Sequence, residues 1–336
     1  MGEPPDGRPG HAEGWSPDEH LAGFECLRLP LAADPLPEED GAPLVGTLIR
    51  RSDPALRAHA RAILHVHGWN DYFFHGHVAE FYEAQGIAFY ALDLRRYGRS
   101  WVEPQLRGFI TDLSDYTEEL AAALSVIGAG HPVVLLGGHS TGGLVVTLYA
   151  SDHPGTLAGL VLNSPWLDMW VTPALTSVLR PVLSQWSRRN PTLPLPLPDS
   201  DETPFYAQAM HSAYGGEWNY SLDLKLERAD HPRVGWLRAV IQGHRRVARG
   251  LNLDCPVLVT TSTKDAWLRP SLESARESDI VLDVDRIAAV SWRLGNVVAL
   301  ARIEGGTHDL SLSPSPARER FFEAVTAWLR GYVPAP

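Results

Sequence analysis

The sequence predicts an α/β protein in which a mostly parallel central sheet carries helices on both faces. Two observations support this prediction. Short segments that are nearly continuous in Val, Ile and Leu alternate with helix-compatible segments, and such unbroken apolar strands are typical of parallel sheets buried on both faces. The chain also has 336 residues, of which 44% are hydrophobic and 21% are charged, which suits one large α/β domain with an insertion.

The N-terminal part of the chain precedes this alternation. Residues 1–20 are rich in Pro, Gly and acidic side chains and predict a disordered tail. Residues 24–29 and 44–49 resemble two strands joined by a Pro-rich, acidic connection. They predict an antiparallel hairpin at the entry to the larger sheet.

The β/α alternation begins after the hairpin and continues to residue 165. Its predicted strands are residues 62–66, 87–92, 133–136 and 160–162. Helices are predicted around Val78, Phe81 and Tyr82, over residues 115–127, and over residues 144–149.

From residue 166 to residue 250 the alternation stops, and the sequence becomes rich in Trp, Tyr and Pro. We expect this insertion to form a cap over the carboxyl ends of the strands. The core then comprises residues 21–165 and 251–336, with a strand at 256–261, a helix at 284–294 and a strand at 297–303. A final amphipathic helix has apolar core positions at helical spacing, namely Phe321, Phe322, Val325, Trp328 and Leu329.

The candidate nucleophile is Ser140, which lies in Gly138-His139-Ser140-Thr141-Gly142. This Gly-x-Ser-x-Gly pattern follows a predicted buried strand and precedes a predicted helix, which is the context of a nucleophile elbow. A Ser at such a sharp turn needs neighbours without bulky side chains, and Gly138 and Gly142 provide the room. Because a hydroxyl is a weak nucleophile, the site also requires a base, an acid that orients the base, and oxyanion donors.

His308 is the candidate base among the 14 His residues. It lies in the loop directly after the last predicted strand, from which a side chain can reach back to the elbow. This position also satisfies the order Ser, then acid, then His along the chain. We expect the side chain of His139 to point beside the nucleophile, and His244 belongs to the predicted cap.

Two carboxylates are candidates for the acid. Asp265 follows the predicted strand at 256–261, and Asp279 lies just ahead of Asp283, the predicted N-cap of the next helix. We favour Asp279, because a triad acid usually lies in the loop a few residues before that helix. In this interpretation residues 265–278 form a loop insertion, and Asp265 is a solvated surface charge.

The backbone amides of Trp69 and Thr141 are the predicted oxyanion donors. They are the residue after the nucleophile and a residue of the loop after the early strand 62–66. Since only backbone groups are needed, the side chain of Trp69 is free to shape an acyl pocket. We expect Asn70 and Asp71 only to brace the turn by local hydrogen bonds.

A metal site is the alternative interpretation of two histidine pairs. The pairs His65-x-His67 and His75-x-His77 have zinc-ligand spacing. However, the dinuclear hydrolase pattern requires Asp where Trp69 stands. We therefore assign the first pair to the oxyanion loop and the second to an exposed helix start, and we expect no metal and no cofactor.

Composition narrows the possible partners. The formal net charge of −11 argues against nucleic acid or an anionic membrane surface as a partner. The two cysteines, Cys26 and Cys255, are far apart and predict free thiols in a reducing compartment. Because the chain shows neither a signal peptide nor an apolar run of membrane-spanning length, we expect a soluble cytoplasmic protein.

Together these motifs resemble a known family. The chain resembles the monoacylglycerol lipase and lysophospholipase branch of the α/β-hydrolases, the serine aminopeptidase S33 type. Four features carry the resemblance: residues 67–69, the elbow, the Asp279/His308 pair and the stretch Asp93-x-Arg95-Arg96-Tyr97-Gly98-Arg99-Ser100. Residues 67–74 and 279–284 look especially like actinobacterial members. The resemblance implies an α/β-hydrolase fold with a cap, and a Ser140, Asp279 and His308 triad with Trp69 and Thr141 amides as oxyanion hole. The chain departs from the common pattern in having Trp69, where monoacylglycerol lipases have a small residue, and in a longer stretch before Asp279.

These residues predict a cofactor-independent serine ester hydrolase that forms an acyl-enzyme. The predicted cap is rich in aromatic residues, which suggests that the substrate is a hydrophobic acyl ester. For each tryptophan a role in packing the cap is an equally good prediction. These tryptophans are Trp166, Trp170, Trp186, Trp218 and Trp236. The alternatives are acyl transfer, amide cleavage by the same triad, or a non-catalytic ligand-binding homologue. Haloalkane dehalogenases and epoxide hydrolases require Asp in place of Ser140, so both classes are disfavoured.

Overall fold

The protein is built around one sheet, seen in a computed structural model that describes residues 14–169, 185–196 and 204–333. In these ranges the sheet has nine strands in the order β1-β2-β3-β5-β4-β6-β7-β8-β9. The strands are β1 (Ser16–Pro17), β2 (Phe24–Pro30), β3 (Val45–Arg51), β4 (Arg61–Val66), β5 (Ile87–Asp93), β6 (Val133–His139), β7 (Gly159–Asn163), β8 (Val257–Ser262) and β9 (Val298–Ile303).

The pairing confirms the predicted fold class. Strands β1, β2, β3 and β5 pair in antiparallel fashion, which includes the predicted hairpin of β2 and β3. From β5 through β4 to β9 every pairing is parallel. The carboxyl ends of β4, β6, β7 and β8 therefore lie at one edge of the sheet, where loops from distant parts of the sequence meet.

Helices cover both faces of the sheet. One apolar cluster includes Leu120, Leu144 and Trp236, and the other includes Val78 and Trp328 on the opposite face. Burial on both faces explains why the central strands are almost entirely apolar. The helices are α1 (Gly76–Ala84), α2 (Thr117–Gly128), α3 (Thr141–Asp152), α4 (Phe205–Met210), α5 (Val234–Arg249), α6 (Val284–Ser291) and α7 (Ala317–Tyr332).

Helix α6 starts where the sequence predicted and ends earlier. The Asp283 side chain accepts a hydrogen bond from the amide of Arg286, so Asp283 is the N-cap. The predicted end at residue 294 is wrong, because the helix ends at Ser291. Beyond it the amides of Arg293 and Leu294 bond three residues back instead of four, at 2.9 and 3.1 Å, and the Leu294 carbonyl then accepts from the amide of Leu253 at 2.8 Å.

Residues 14–20 are ordered, where the sequence predicted disorder. Residues 1–13 lie outside the described residues, but Ser16 pairs with Cys26, so the expectation of disorder to residue 20 is wrong. The cause is electrostatic as well as geometric. The buried guanidinium of Arg99 donates to the carboxylate of Asp18 at 2.6 Å, and this pair holds the segment against the sheet.

The predicted cap is only partly described. Residues 170–184 and 197–203 lie outside the described residues, and they include Trp170 and the end of the Pro-rich run at Pro198. Within the rest, α5 packs Trp236 and Val240 into the core cluster. The bounds of a separate cap at 166 and 250 remain a prediction. None of the described helices has both the length and the apolar composition needed to cross a lipid bilayer.

Candidate active site

Ser140 lies at the turn between β6 and α3. Its backbone has φ 51° and ψ −118°, a strained conformation for a residue with a side chain. The turn is held in place, because the Ser140 amide donates to the Asn163 carbonyl at 3.1 Å and the Ser140 carbonyl accepts from the Trp166 amide at 2.9 Å. The predicted need for glycine is met at Gly142, where an added Cβ would lie 2.2 Å from the carbonyl oxygen of His67.

The structure brings Ser140, His308 and Asp279 together. The Nε2 atom of His308 lies 3.1 Å from the Ser140 Oγ, and its Nδ1 lies 2.9 Å from Oδ2 of Asp279. A carboxylate only accepts, so Nδ1 carries the proton and Nε2 presents a lone pair to the serine hydroxyl. All three side chains are buried, and Asp279 is fully excluded from solvent.

The structure places Asp279, and not Asp265, against His308. The second oxygen of Asp279 accepts hydrogen bonds from the amides of Val281 and Leu282 at 2.8 and 2.9 Å, which fixes the carboxylate. Asp265 instead accepts from the amide of Val284 at the start of α6, at 3.2 Å. Desolvation by burial raises its pKa, so Asp265 is not the fully solvated surface charge that was expected.

The loop after β4 lies directly against the nucleophile. A Cβ added to Gly68 would lie 3.1 Å from the Ser140 Cβ, a tight contact that would displace the nucleophile by a few tenths of an ångström. His67 shapes the loop from beneath, since its Nδ1 donates to the Gly68 carbonyl at 2.8 Å and its Nε2 accepts from the Leu94 amide at 3.1 Å. Trp69 follows in this loop, and Thr141 is the first residue of α3, where an amide has no acceptor within its own helix.

Sequence comparison decides the family. The model of the family described as serine aminopeptidase, S33, matches residues 57–311. The chain belongs to this family. Membership confirms the resemblance noted from the motifs, together with the α/β-hydrolase fold and the expectation of a serine hydrolase.

Individual relatives agree with this assignment. A monoacylglycerol lipase of Mycolicibacterium smegmatis is 28% identical over 262 residues, which cover 76% of this chain and 83% of the relative. The structure of a monoacylglycerol lipase from Paleococcus ferrophilus has a TM-score of 0.61 at 19% identity, covering 92% of this chain and 99% of that chain. A carboxyl esterase from Bacillus coagulans has a TM-score of 0.62 at 14% identity over 92% and 99% of the two chains. At these identities the two structures show likeness of fold alone.

In this S33 family member, a second layer of buried polar groups supports the His308 loop. Asp309 accepts hydrogen bonds from the Asn163 amide group at 2.7 Å, from the Ser311 hydroxyl at 2.7 Å and from Nε2 of His75 at 3.2 Å. Burial raises the pKa of Asp309, but the nearby His139 and His75 outweigh that effect and hold the pKa well below its usual range. The sequence pattern does not single out Asp309, because its partners Asn163 and His75 come from two distant segments.

The histidine pairs considered for metal binding have other partners. His75, expected at an exposed helix start, is buried and donates to Asp309, while His77 lies 2.8 Å from the Ser311 carbonyl. The side chain of His139, which was expected beside the nucleophile, packs against His308, with ring centroids 4.9 Å apart. Burial lowers the pKa of His139 to about 4. Within the described residues no cluster of three or more His, Cys, Asp or Glu suits a metal ion.

A cavity of about 410 Å³ opens beside Ser140 and His308. Its wall is mixed, with apolar side chains from both the core and the predicted cap and with several charged groups. Trp166, Trp186, Trp218 and Trp236 are not among the lining residues. Trp218 stacks on His77, and Trp236 lies 4.2 Å from the Trp69 ring, so the packing role holds for these two. The residues that line the cavity include Trp69, Asn70, Asp71, Tyr206, Ala207, Tyr220, Lys225, Leu226 and Val281.

The expectation of purely local bracing at Asn70 and Asp71 is wrong. The Asn70 side chain donates to the Leu226 carbonyl at 2.7 Å and accepts from the Leu226 amide at 3.2 Å. Asp71 pairs with Lys225, whose Nζ lies 2.9 Å from Oδ1. Both partners are more than 150 residues away in sequence. The residues next to Asn70 and Asp71 therefore do not predict these contacts.

Proposed function

We propose that the chain is a carboxylic ester hydrolase in which Ser140 is the nucleophile, His308 the general base and Asp279 the group that orients His308. The observation that carries the proposal is the continuous path from Asp279 Oδ2 to His308 Nδ1 at 2.9 Å and from His308 Nε2 to Ser140 Oγ at 3.1 Å. These are the contacts that general-base activation of a serine requires.

The reaction proceeds in two halves. The Ser140 Oγ bonds to the ester carbonyl carbon as its proton passes to His308 Nε2, and the backbone amides of Trp69 and Thr141 stabilise the resulting oxyanion. The alcohol then leaves with that proton. In the second half water attacks the acyl carbon as its proton passes to His308; the bond between this carbon and the Ser140 Oγ then breaks, His308 returns the proton to Oγ, and the carboxylic acid is released.

The proposed substrate is an ester of a hydrophobic acyl group, of the monoacylglycerol or lysophospholipid kind. The Mycolicibacterium relative, a monoacylglycerol lipase, supports an ester of this kind. The cavity supports it physically, because Trp69, Ala207 and Val281 offer apolar contact to an acyl chain close to the nucleophile. No metal or cofactor has a role in this mechanism.

Ester hydrolysis by the wild type and by Ser140→Ala tests the proposal. We expect turnover of p-nitrophenyl esters, monoacylglycerols or lysophospholipids, and a fall in kcat of at least about 10⁴-fold in the variant. Ser125→Ala, an exposed position in α2, is the matched control and should keep full activity.

Three results would contradict the proposal. Hydrolysis that persists in Ser140→Ala would exclude the triad. Turnover of aminoacyl p-nitroanilides without turnover of esters would indicate an amidase. Labelling of Ser140 by a fluorophosphonate without turnover of any ester would favour an acyltransferase or a binding protein.

A further inference from the structure

Lysine is rare in this chain, and one of the two lysines is buried at the candidate active site. The chain has 29 basic residues besides histidine, and only Lys225 and Lys264 are lysine. The Lys264 side chain is exposed, as is usual for the residue type. The Lys225 side chain is 8% exposed and lines the cavity beside Ser140.

The surroundings of Lys225 hold its ammonium group at one point. Its Nζ lies 2.9 Å from Oδ1 of Asp71 and 5.2–5.3 Å from the ring centroids of Phe74, Tyr206 and Tyr220. Three aromatic faces at this distance attract a cation electrostatically. Burial disfavours the ammonium, but Asp71 outweighs this effect and raises the pKa of Lys225, so the pair is ionic.

The pair connects two segments that are far apart in the sequence. Asp71 lies two residues after Trp69, and Leu226 follows Lys225 in the chain. With the two hydrogen bonds between Asn70 and Leu226, residues 70–71 are fastened to residues 225–226 by three contacts. Asn70 has φ 50°, a left-handed conformation that such contacts maintain.

A buried ion pair is weak evidence for a stabilising role, because desolvation of both charges offsets their attraction. Such a pair can instead fix geometry. The loop that it fastens contains the Trp69 amide, and a missing oxyanion donor typically lowers kcat by about 10²- to 10³-fold. A correctly placed amide therefore stabilises the transition state by more than the ion pair stabilises the fold.

We propose that Lys225 is a positioning residue, which through Asp71 holds the 69–72 loop so that the Trp69 amide points at the developing oxyanion. This inference rests on the proposed function, since it assigns the amide of Trp69 to the same reaction. It identifies the segment around residue 225 as a part of the catalytic geometry that is supplied from outside the α/β core.

Paired substitutions test the role of Lys225. Lys225→Met removes the ammonium, and Lys225→Met/Asp71→Asn removes both charges so that no unpaired carboxylate is left buried. Lys264→Met is the matched control at an exposed lysine. We expect kcat for a p-nitrophenyl ester to fall about 10- to 100-fold in both Lys225 variants, with KM within about 3-fold of wild type. Labelling of Ser140 by a fluorophosphonate should slow by the same factor.

Amide hydrogen exchange provides a readout that does not depend on turnover. We expect faster exchange in peptides covering residues 68–73 in the double variant, and no change in Lys264→Met. A double variant with wild-type kcat and wild-type exchange would overturn the proposal, and so would a raised KM with unchanged kcat, which would mean direct contact with substrate. If Lys225→Met alone does not fold, the double variant decides. Hydrolysis that survives in Ser140→Ala would refute the proposed function instead, a result that loosening of the 69–72 loop does not produce.

Discussion

Asp279 determines which ring nitrogen of His308 carries the proton. Its Oδ2 accepts from Nδ1 of His308, which leaves Nε2 unprotonated and facing the hydroxyl of Ser140. Its Oδ1 is occupied by the amides of Val281 and Leu282, so the carboxylate does not rotate away. The tautomer needed for general-base action therefore exists before substrate binds.

Replacement of this carboxylate tests the tautomer argument. In Asp279→Asn the side-chain NH₂ can donate to Nδ1, which moves the imidazole proton to Nε2 and removes the base. We expect kcat to fall by about 10⁴-fold, the size of the effect in serine proteases, with little change in thermal stability. The measurement is steady-state hydrolysis of a p-nitrophenyl ester.

Asp265→Asn is the matched control for this substitution. An Asn at 265 still accepts from the Val284 amide, so activity should stay within about 3-fold of wild type. A larger loss in Asp265→Asn than in Asp279→Asn would overturn the assignment of the acid.

The residues that were predictable from sequence share one property. Ser140 has its motif in consecutive residues, and Asp283 is recognisable as a cap next to its helix. Lys225, Asn163 and His75 act through partners between 146 and 234 residues away. Such contacts depend on three-dimensional packing, and residue type and spacing carry no record of them.

At the scale of elements, the elbow depends on how closely α3 approaches β4. An added Cβ at Gly142 would lie 2.2 Å from the His67 carbonyl oxygen and 2.5 Å from that of Val66. Both obstacles are backbone atoms of the strand and of the loop that follows it. The helix and the strand approach this closely only because position 142 is glycine.

Gly142→Ala should therefore damage both folding and activity. To admit the methyl group, α3 must move from β4, which displaces Ser140 from His308. We expect a loss of about 1–3 kcal/mol in the free energy of unfolding, typical of overpacking, and a fall in ester hydrolysis of more than about 100-fold. Chemical denaturation and steady-state kinetics measure the two effects.

Gly128→Ala provides the comparison at the end of α2. An added Cβ there has nothing within 4 Å, so the variant should be as stable as the wild type or more stable by up to about 1 kcal/mol. If Gly142→Ala behaves like Gly128→Ala, the close approach is not what shapes the elbow.

The element pattern also explains where prediction from sequence ended. The core strands were recognisable because burial on both faces makes them uniformly apolar. The end of α6 was not recognisable, because the chain turns at Arg293 and Leu294 to meet Leu253, which is distant in the sequence. The order at Ser16 was not recognisable either, because Arg99, the partner of its segment, lies far along the chain.

At the scale of the whole molecule, buried histidines are spread over both sides of the sheet. His139 is the last residue of β6, and His244 lies on α5, where its Nε2 donates to the Trp166 carbonyl at 2.8 Å. Burial lowers the pKa of each to about 4. Both are therefore neutral in the folded protein at neutral pH and lie in different parts of the core.

These shifts predict loss of stability in mild acid. Above pH 6.5, the ordinary histidine pKa, each of these histidines is neutral in both the folded and the unfolded chain. Between pH 6.5 and about 4, the unfolded chain binds protons that the folded chain does not bind, so the free energy of unfolding falls as the pH falls. Each such histidine contributes about 1–2 kcal/mol to the loss between pH 7.5 and 5.0. The lowered pKa values of Asp71 and Asp309 act only at still lower pH, since those carboxylates are ionised in both states in this window.

Guanidinium denaturation at pH 7.5 and 5.0 measures this dependence in wild type, His244→Gln and His20→Gln. A glutamine at 244 retains a donor for the Trp166 carbonyl and does not titrate, so the difference between the two pH values should be about 1–2 kcal/mol smaller than in wild type. His20→Gln replaces an exposed histidine and is the matched control. A pH dependence in His244→Gln equal to that of the wild type would show that the pKa of His244 does not differ between the folded and unfolded protein, and the desolvated state assigned to it would be wrong.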